Sequence, residues 1–483
     1  MRYVRFVVSA LVIPFVSVGC GWILGLDEYS LQTSCPTAEC GVFVSLQGSD
    51  SSSGTKEAPV RTISRAIEVA RDGNGVVQVC AQEFSEPVVV PSGVTLKGGL
   101  NCNGAWEDIG ALVRTTITAG PNVVPLQLLG SSGVTRVDSI NVKAADATAP
   151  GGSSIAVLVD GATVELARCD IIAGNGMAGE KGATPAENIG SPDNPDDPSV
   201  AGTAGTNACM GDPMSGNPGG AGRANERCNE SAGGNGGDGG LAATNGSSGT
   251  DGVPAGDGAK GKGGTGDTGL GCDPGGYGQD GATGAPGAGG VSPGAISTAG
   301  YSGASGEAGG LGSPGQGGGG GGGGKGKVGC NGASGGGGGA GGCGGFGGFG
   351  GTAGGSSIAI VSLNATLTFT DVMLTAGTGG AGGDGGDGQI GAIGGTGGKG
   401  GFPVAGTTKG CVGGDGGFGG TGGQGGGGRG GHALGVAFSG KAPPKATKFN
   451  GGSGGVGGLG ADMTKDGAAG EAKEMLEIPL TTP

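Results

Sequence analysis

Apolar residues recur along the chain in two spacings. Ile63, Ala66, Ile67 and Ala70 stand at i, i+3, i+4 and i+7, which predicts a short helix with one buried face. Elsewhere the apolar positions come in repeated blocks. Val137, Ile140 and Val142 have the spacing of Leu166, Cys169 and Ile171, and of Phe369, Val372 and Leu374. Upstream partners repeat as Leu126/Leu128, Ile155/Val157 and Ile358/Ile360, with a weaker copy at Leu434/Val436. The first two blocks lie about 29 residues apart, a length that suits one coil of a solenoid. The third and fourth align only if insertions of about 174 and about 47 residues are set aside.

The inserted stretches follow a different rule. From Gly317 to Gly350 a glycine falls on every third residue, and the register returns over 275–290, 379–400 and 413–431. A period of three matches the extended left-handed helix of three residues per turn. In Gly-Gly-X runs two of its three sides carry no side chain. Several such legs could therefore pack backbone to backbone, each bonding its N–H and C=O groups to its neighbours. Flexibility stays open as the alternative. Ordering backbone costs roughly 1–2 kcal/mol per residue, most for glycine. With 132 glycines and 4% aromatic residues there is little apolar burial to offset it. A straight tract of ~34 residues would reach about 105 Å at ~3.1 Å per residue, so a compact bundle needs reversals, one of them expected at 325–334. The segment 176–232 reads as an irregular lead into the tracts, and the end returns to a short strand around 476–480.

Three resemblances bear on the fold. The repeat is similar to the polyglycine II bundles of certain phage tail-tip adhesins and of a small Gly-rich antifreeze protein. Val42–Ile63, with Ile67, Val76–Val79 and Val88–Gly99, resembles the opening of right-handed parallel β-helix proteins of the pectate-lyase-like class, in which a short helix caps the coil. The composition is similar to that of the PE-PGRS surface proteins, although their Pro-Glu domain is missing. The expected fold is all-β: a right-handed parallel β-helix with an N-terminal capping helix and large Gly-rich insertions. The expected division is 1–19 signal peptide, 20–40 anchor and linker, 41–175 coils, 176–355 insertion, 356–376 coil, 377–431 second insertion, and 432–483 last coil and tail.

Arg2 and Arg5 precede an apolar run from Phe6 to Val18 that ends in Ser17-Val18-Gly19-Cys20. This reads as a secretory signal, and it resembles a bacterial lipoprotein signal that would place lipid on Cys20. Ser17 departs from the leucine usual at that position. Each buried CH2 of an acyl chain contributes roughly 0.8 kcal/mol, so the expected location is the cell envelope, at the outer membrane or cell surface, with a periplasmic or secreted protein as the alternative.

Twelve cysteines fit an oxidising compartment. Proximity pairs Cys35 with Cys40 and Cys80 with Cys102. Cys209, Cys228, Cys272, Cys330, Cys343 and Cys411 form a second set whose pairing stays open. Cys169, at the coil position of Ile140 and Val372, reads as a buried free thiol.

A formal charge of −14 speaks against nucleic acid as a partner. The expected partners are a membrane, through the lipid anchor, and a glycan or another surface protein. No cofactor or metal is expected. Two segments, 382–390 and 233–241, approach the calcium-binding nonapeptide, but the apolar residue comes one place late and neither repeats at nine. Asp138, Asp160, Glu165, Arg168 and Asp170 are the charged residues on the coils and read as solvated strand faces. His432, the single histidine, reads as a satisfied surface residue. No catalytic set emerges. The expected function is non-catalytic display of the Gly-rich insertions for adhesion or surface interaction. A flexible spacer and a glycan-cleaving β-helix lyase or hydrolase are the alternatives. Along 379–431 the side-chain-bearing positions include Asp384, Asp387, Ile390, Ile393, Thr396, Lys399, Asp415, Phe418, Thr421 and Gln424, with Phe346 and Phe349 on the long tract. They could grip a partner or staple the legs.

Overall fold

A computed structural model describes residues 41–186, 194–210, 212, 214–228 and 231–481. Cys20, Cys35 and Cys40 lie outside them.

The chain winds into a right-handed parallel β-helix. One sheet stacks Val42–Val44, Val76–Cys80, Thr95–Asn101, Val134–Asp138, Thr163–Ile172, Thr366–Ala376 and Lys448–Gly451, with Glu83–Ser85, Thr115–Thr118 and Ile140–Lys143 beside them. The second stacks Val88–Pro91, Leu126–Leu129, Ser154–Asp160, Ser357–Leu363, Ala433–Ser439 and Ala472–Glu477. Alternate side chains point inward, as period two requires, and fill the coil with columns of Val, Ile and Leu. Val137, Leu166 and Phe369 stack in register, as do Cys169 with Val372 and Val142 with Ile171 and Leu374. Ile358 and Ile360 pair with Ile155 and Val157 on one side and with Leu434 and Val436 on the other. The first coil corrects the sequence-based register: Leu126 and Leu128 pair with Val157 and Val159. The corner at 130–133 is two residues longer than the corner at 161–162, and a shift by two keeps the same side chains facing in.

Ile63–Arg71 closes the open end of the coil. Thr62 caps it, its Oγ1 accepting from the Arg65 N–H at 3.2 Å, and Ile63, Ala66, Ile67 and Ala70 are buried. The Glu86 carboxylate accepts from the Ile63 and Ser64 N–H groups, a favourable place for negative charge.

Two corners are made by columns of left-handed residues. Ser139, Arg168 and Asp371 stack with φ of 58°, 50° and 53°. Gly130, Gly161, Asn364 and Gly440 do the same at the next corner. The third corner joins the first sheet to the second and carries the long insertions: 86–87, 119–125, 144–153, then 173–356, 377–432 and 452–471. All the Gly tracts leave the coil there.

Outside the coil the tracts form an ordered bundle of extended legs. In 317–324 successive N–H groups point to three different neighbours. Gly317, Gly320 and Gly323 donate to Val253, Thr250 and Ser247; Gly318, Gly321 and Gly324 to Gly339, Gly336 and Ala333; Gly319 and Gly322 to Gly276 and Asp273. Its carbonyls accept from three further legs, at 234–240, 264–267 and 411–414. Six neighbours are thus bonded at 2.8–3.0 Å, the arrangement that three residues per turn dictates. The requirement for glycine is spatial. A Cβ on Gly338 would stand 1.9 Å from the Gly318 oxygen, although Gly338 does not adopt positive φ. The bundle corrects the reading of 176–232 as irregular: 200–206 and 219–223 are legs, with Thr203, Thr206 and Val200 accepting from Gly337, Ser334 and Ala340.

Disulfides join Cys80 to Cys102 in the coil and Cys209 to Cys330, Cys228 to Cys343 and Cys272 to Cys411 in the bundle. Cys169 is the free cysteine among the described residues, and burial pushes its thiol up to about 12.

Candidate interaction surface

The charged residues of the coils gather outside the Ser139–Arg168–Asp371 corner. Left-handed φ at a residue with a side chain costs on the order of 1 kcal/mol, and here the side chains are engaged. Arg168 donates to Asp138 at 2.7 Å and to Ser139 Oγ at 2.8 Å, and reaches Asp108 at 3.5 Å. Lys97 pairs with Asp108 at 3.1 Å, Arg114 with Asp170 at 2.6 Å, and Arg136 with Glu165 at 2.6 Å. These are not free solvated faces: Asp138, Arg168 and Asp170 are partly buried and ion-paired, a correction to the sequence reading. Asp160 is half-buried at the end of its strand. Burial works against the charged form of Asp108, but the Gly110 N–H, Lys97 and Arg168 outweigh it and hold the carboxyl below its ordinary range. Beside this network a recess of about 410 Å³ is lined by Leu112, Arg114, Asn141, Asp170, Asp371 and Lys448. The Asn141 Oδ1 is buried there without a hydrogen-bond partner.

His432 is fully buried, against the expectation of a surface residue. It sits where the second insertion re-enters the coil. Its Nδ1 accepts from the Glu471 N–H at 2.9 Å, so Nε2 carries the proton and donates to the Pro293 oxygen at 3.1 Å. Tyr301 packs edge-on at 5.7 Å and also donates to Pro293. Burial, then the Arg429 charge, lowers the imidazole pKa. The ring clamps the hairpin of Ala295–Ser297 and Gly300–Ser302 onto the second sheet, where Ile296 packs with Ile155, Ile358 and Leu434.

On the bundle, the X residues have two jobs. A leg at the surface lacks some neighbours, and polar side chains replace them. Asp280 accepts from the Phe418 N–H, Asp415 from Gly397, Asp384 from Leu459 and Asp238 from Gly219, all at 2.7–2.9 Å. These bonds, with an Asp387–Lys181 ion pair, occupy acids of the two calcium-like segments. No cluster of three or more metal-ligating side chains occurs among the described residues. The large X residues stand clear of the legs. Ile390 is 80% exposed, Phe418 57% and Phe349 56%. On one face the legs 275–290, 411–429 and 389–399 run side by side. There Tyr277, Ile393, Thr396, Asp415 and Phe418 line a groove of about 380 Å³. At three residues per turn, side chains on one leg recur about every 9 Å. The face is a fixed lattice of aromatic, aliphatic and acidic groups, and only the spacing of the X positions announced it in the sequence.

Residues 46–176 match the model of a family described as a protein of unknown function (DUF1565). The match covers the first coils and ends where the first insertion leaves them. No curated protein and no solved structure matches the chain. Among the described residues no helix is long and apolar enough to cross a membrane.

Proposed function

We propose that this protein is a non-catalytic, lipid-anchored envelope protein whose β-helix holds out the glycine bundle as an adhesion platform. The observation that carries the reading is the exposed pair Tyr277 and Phe418, with the half-buried Ile393 in the same groove, on legs bonded along their length. Apolar groups on a rigid support bind without the ordering cost that a flexible tract would incur. The bonded legs also speak against a flexible spacer. The lipid anchor at Cys20 and the envelope location rest on the sequence pattern alone. The partner that suits the groove is a glycan or another surface protein, since aromatic faces beside carboxylates accept sugar rings and side chains alike. The test is adherence of cells carrying Tyr277→Ser with Phe418→Ser, against cells lacking the protein. Adherence should drop to the level of the deletion strain. A deletion strain that adheres and assembles its envelope like the parent would remove the basis for this reading.

One observation favours a glycan-cleaving enzyme: the recess beside Arg114 with the unpartnered Asn141 oxygen. Against it, Asp138, Asp170 and Asp108 are each tied to a cation, whereas a general acid is held protonated by its surroundings. Release of new chain ends from a polysaccharide panel, with or without calcium, would favour the enzyme.

A further inference from the structure

The far end of the bundle differs from its sides. Legs 234–240, 261–267, 317–324 and 380–401 run away from the coil, and their reversals, at 241–245, 268–272, 325–330 and 402–409, meet at one end. Short contacts tie these loops together. The Lys325 N–H donates to Thr408 Oγ1 at 2.6 Å, the Gly326 N–H to the Thr244 oxygen at 3.1 Å, and Cys272 is bonded to Cys411 beside them.

Three of these loops carry a large apolar side chain that stands mostly in solvent. Leu270 is 98% exposed, Val328 86% and Phe402 70%, with Leu241 and Val404 also exposed. Nothing in the turns requires these residues, since small polar ones serve as well at loop tips. The charge is also reversed. In a chain of net charge −14, these four loops hold Lys325, Lys327 and Lys409 and no carboxylate. The acids around them are engaged: Asp267 accepts from the Gly269 and Gly271 N–H groups, Asp273 from Thr265, and Asp212, on the neighbouring 207–217 loop that Cys209 ties to Cys330, from the Met214 N–H. A recess at this end, about 500 Å³, lies between Phe402 and the Cys272–Cys411 bridge, with Lys399 and Lys409 on its wall.

We propose that this end of the bundle docks onto an anionic phospholipid bilayer. The apolar tips enter the boundary between headgroups and acyl chains, and the lysines sit at the level of the phosphates. Separate apolar protrusions suit a fluid surface, which moulds around them, whereas a folded protein would need a matching relief. Lysine beside exposed Leu and Phe is the composition that binds such interfaces. The proposal rests on the display reading above and names the surface that the far end meets.

The test is flotation of the oxidised full chain, carrying Cys20→Ser so that no acyl chain contributes, with vesicles. Phosphatidylcholine vesicles containing phosphatidylglycerol should carry the protein up, pure phosphatidylcholine should not, and raised salt should release it. Leu270→Asp with Val328→Asp should weaken binding by at least about tenfold with amide exchange in the bundle unchanged, as both side chains lie in solvent. Phe402→Asp alone should weaken it less. No binding to either vesicle, or wild-type binding by the double variant, overturns the proposal. Retention on an acidic polysaccharide without vesicle binding overturns it too, in favour of a glycan. Cells that lose adherence with Tyr277→Ser and Phe418→Ser while the chain ignores vesicles would leave the display reading standing without the membrane contact. Cells that adhere normally while the chain floats would do the reverse.

Discussion

In the coil, Val157, Ile360 and Val436 lie over one another as a column of touching side chains, each fully buried. In the bundle, the buried run from 331 to 343 is glycine, alanine, serine, asparagine and cysteine, and its neighbours are other backbones. The coil gains from apolar surface removed from water, about 25 cal/mol per Å². The bundle has little such surface. Its legs hold because the N–H and C=O groups that leave water bond to neighbouring legs, and a buried group left unpaired costs about 1–3 kcal/mol. One region therefore tolerates shape changes that keep volume, while the other tolerates no volume at all.

Adding atoms to the bundle should have the largest effect. Gly338→Val forces a side chain against the Gly318 oxygen and should remove amide protection over 200–355 and 377–431 while leaving that of 126–172 intact. Gly120→Val, with nothing within 4 Å of its Cβ, should change neither. If Gly338→Val keeps its protection, the backbone-to-backbone packing is wrong.

Removing a bundle disulfide comes next. The Cys228–Cys343 bridge spans 115 residues and Cys80–Cys102 spans 22, so in the chain-entropy account their loss should cost about 5 and about 3 kcal/mol. Denaturant unfolding of the paired Cys→Ala variants checks the order; equal losses would mean that the bundle does not depend on its cross-links more than the coil does.

Taking atoms from the coil should act in the opposite sense to the glycine change. Ile360→Ala opens a cavity and should cost about 2–5 kcal/mol in denaturant unfolding. The same truncation at the exposed Ile390 should be nearly silent, and a matching loss there would show that the X residues staple the legs.

The smallest effect lies at the seam between the regions. Because burial and Arg429 lower the pKa of His432, the unfolded chain binds more protons just below the ordinary value of about 6.5. The clamp's contribution is complete above about pH 6.5 and is lost as pH falls towards the folded value. Amide protection factors in 295–302 and at Glu471, corrected for intrinsic exchange, should fall as pH drops from about 7 to about 5, and His432→Gln should flatten that dependence. A slope unchanged by His432→Gln would place the titration elsewhere.

The blocks at Val137, Leu166 and Phe369 were legible because a coil imposes the same inward positions on every turn, and insertions between them leave that spacing intact on either side. The capping helix was legible from four apolar residues, and the glycine register from its period. The register of Leu126 was not, since two extra corner residues shift the pairing without changing which side chains face in.

Local sequence determined that the chain has two kinds of structure, because periods of two and three are properties of the backbone and show wherever residues are placed at them. Only the tertiary structure decided which legs neighbour which, how six cysteines pair, and that His432 is buried. A glycine leg offers the same bare backbone to any other leg, so its partners are chosen by the coil corners and disulfides that anchor it. The groups that enclose His432 come from 293, 301 and 471, brought together only when the insertions fold back onto the sheet.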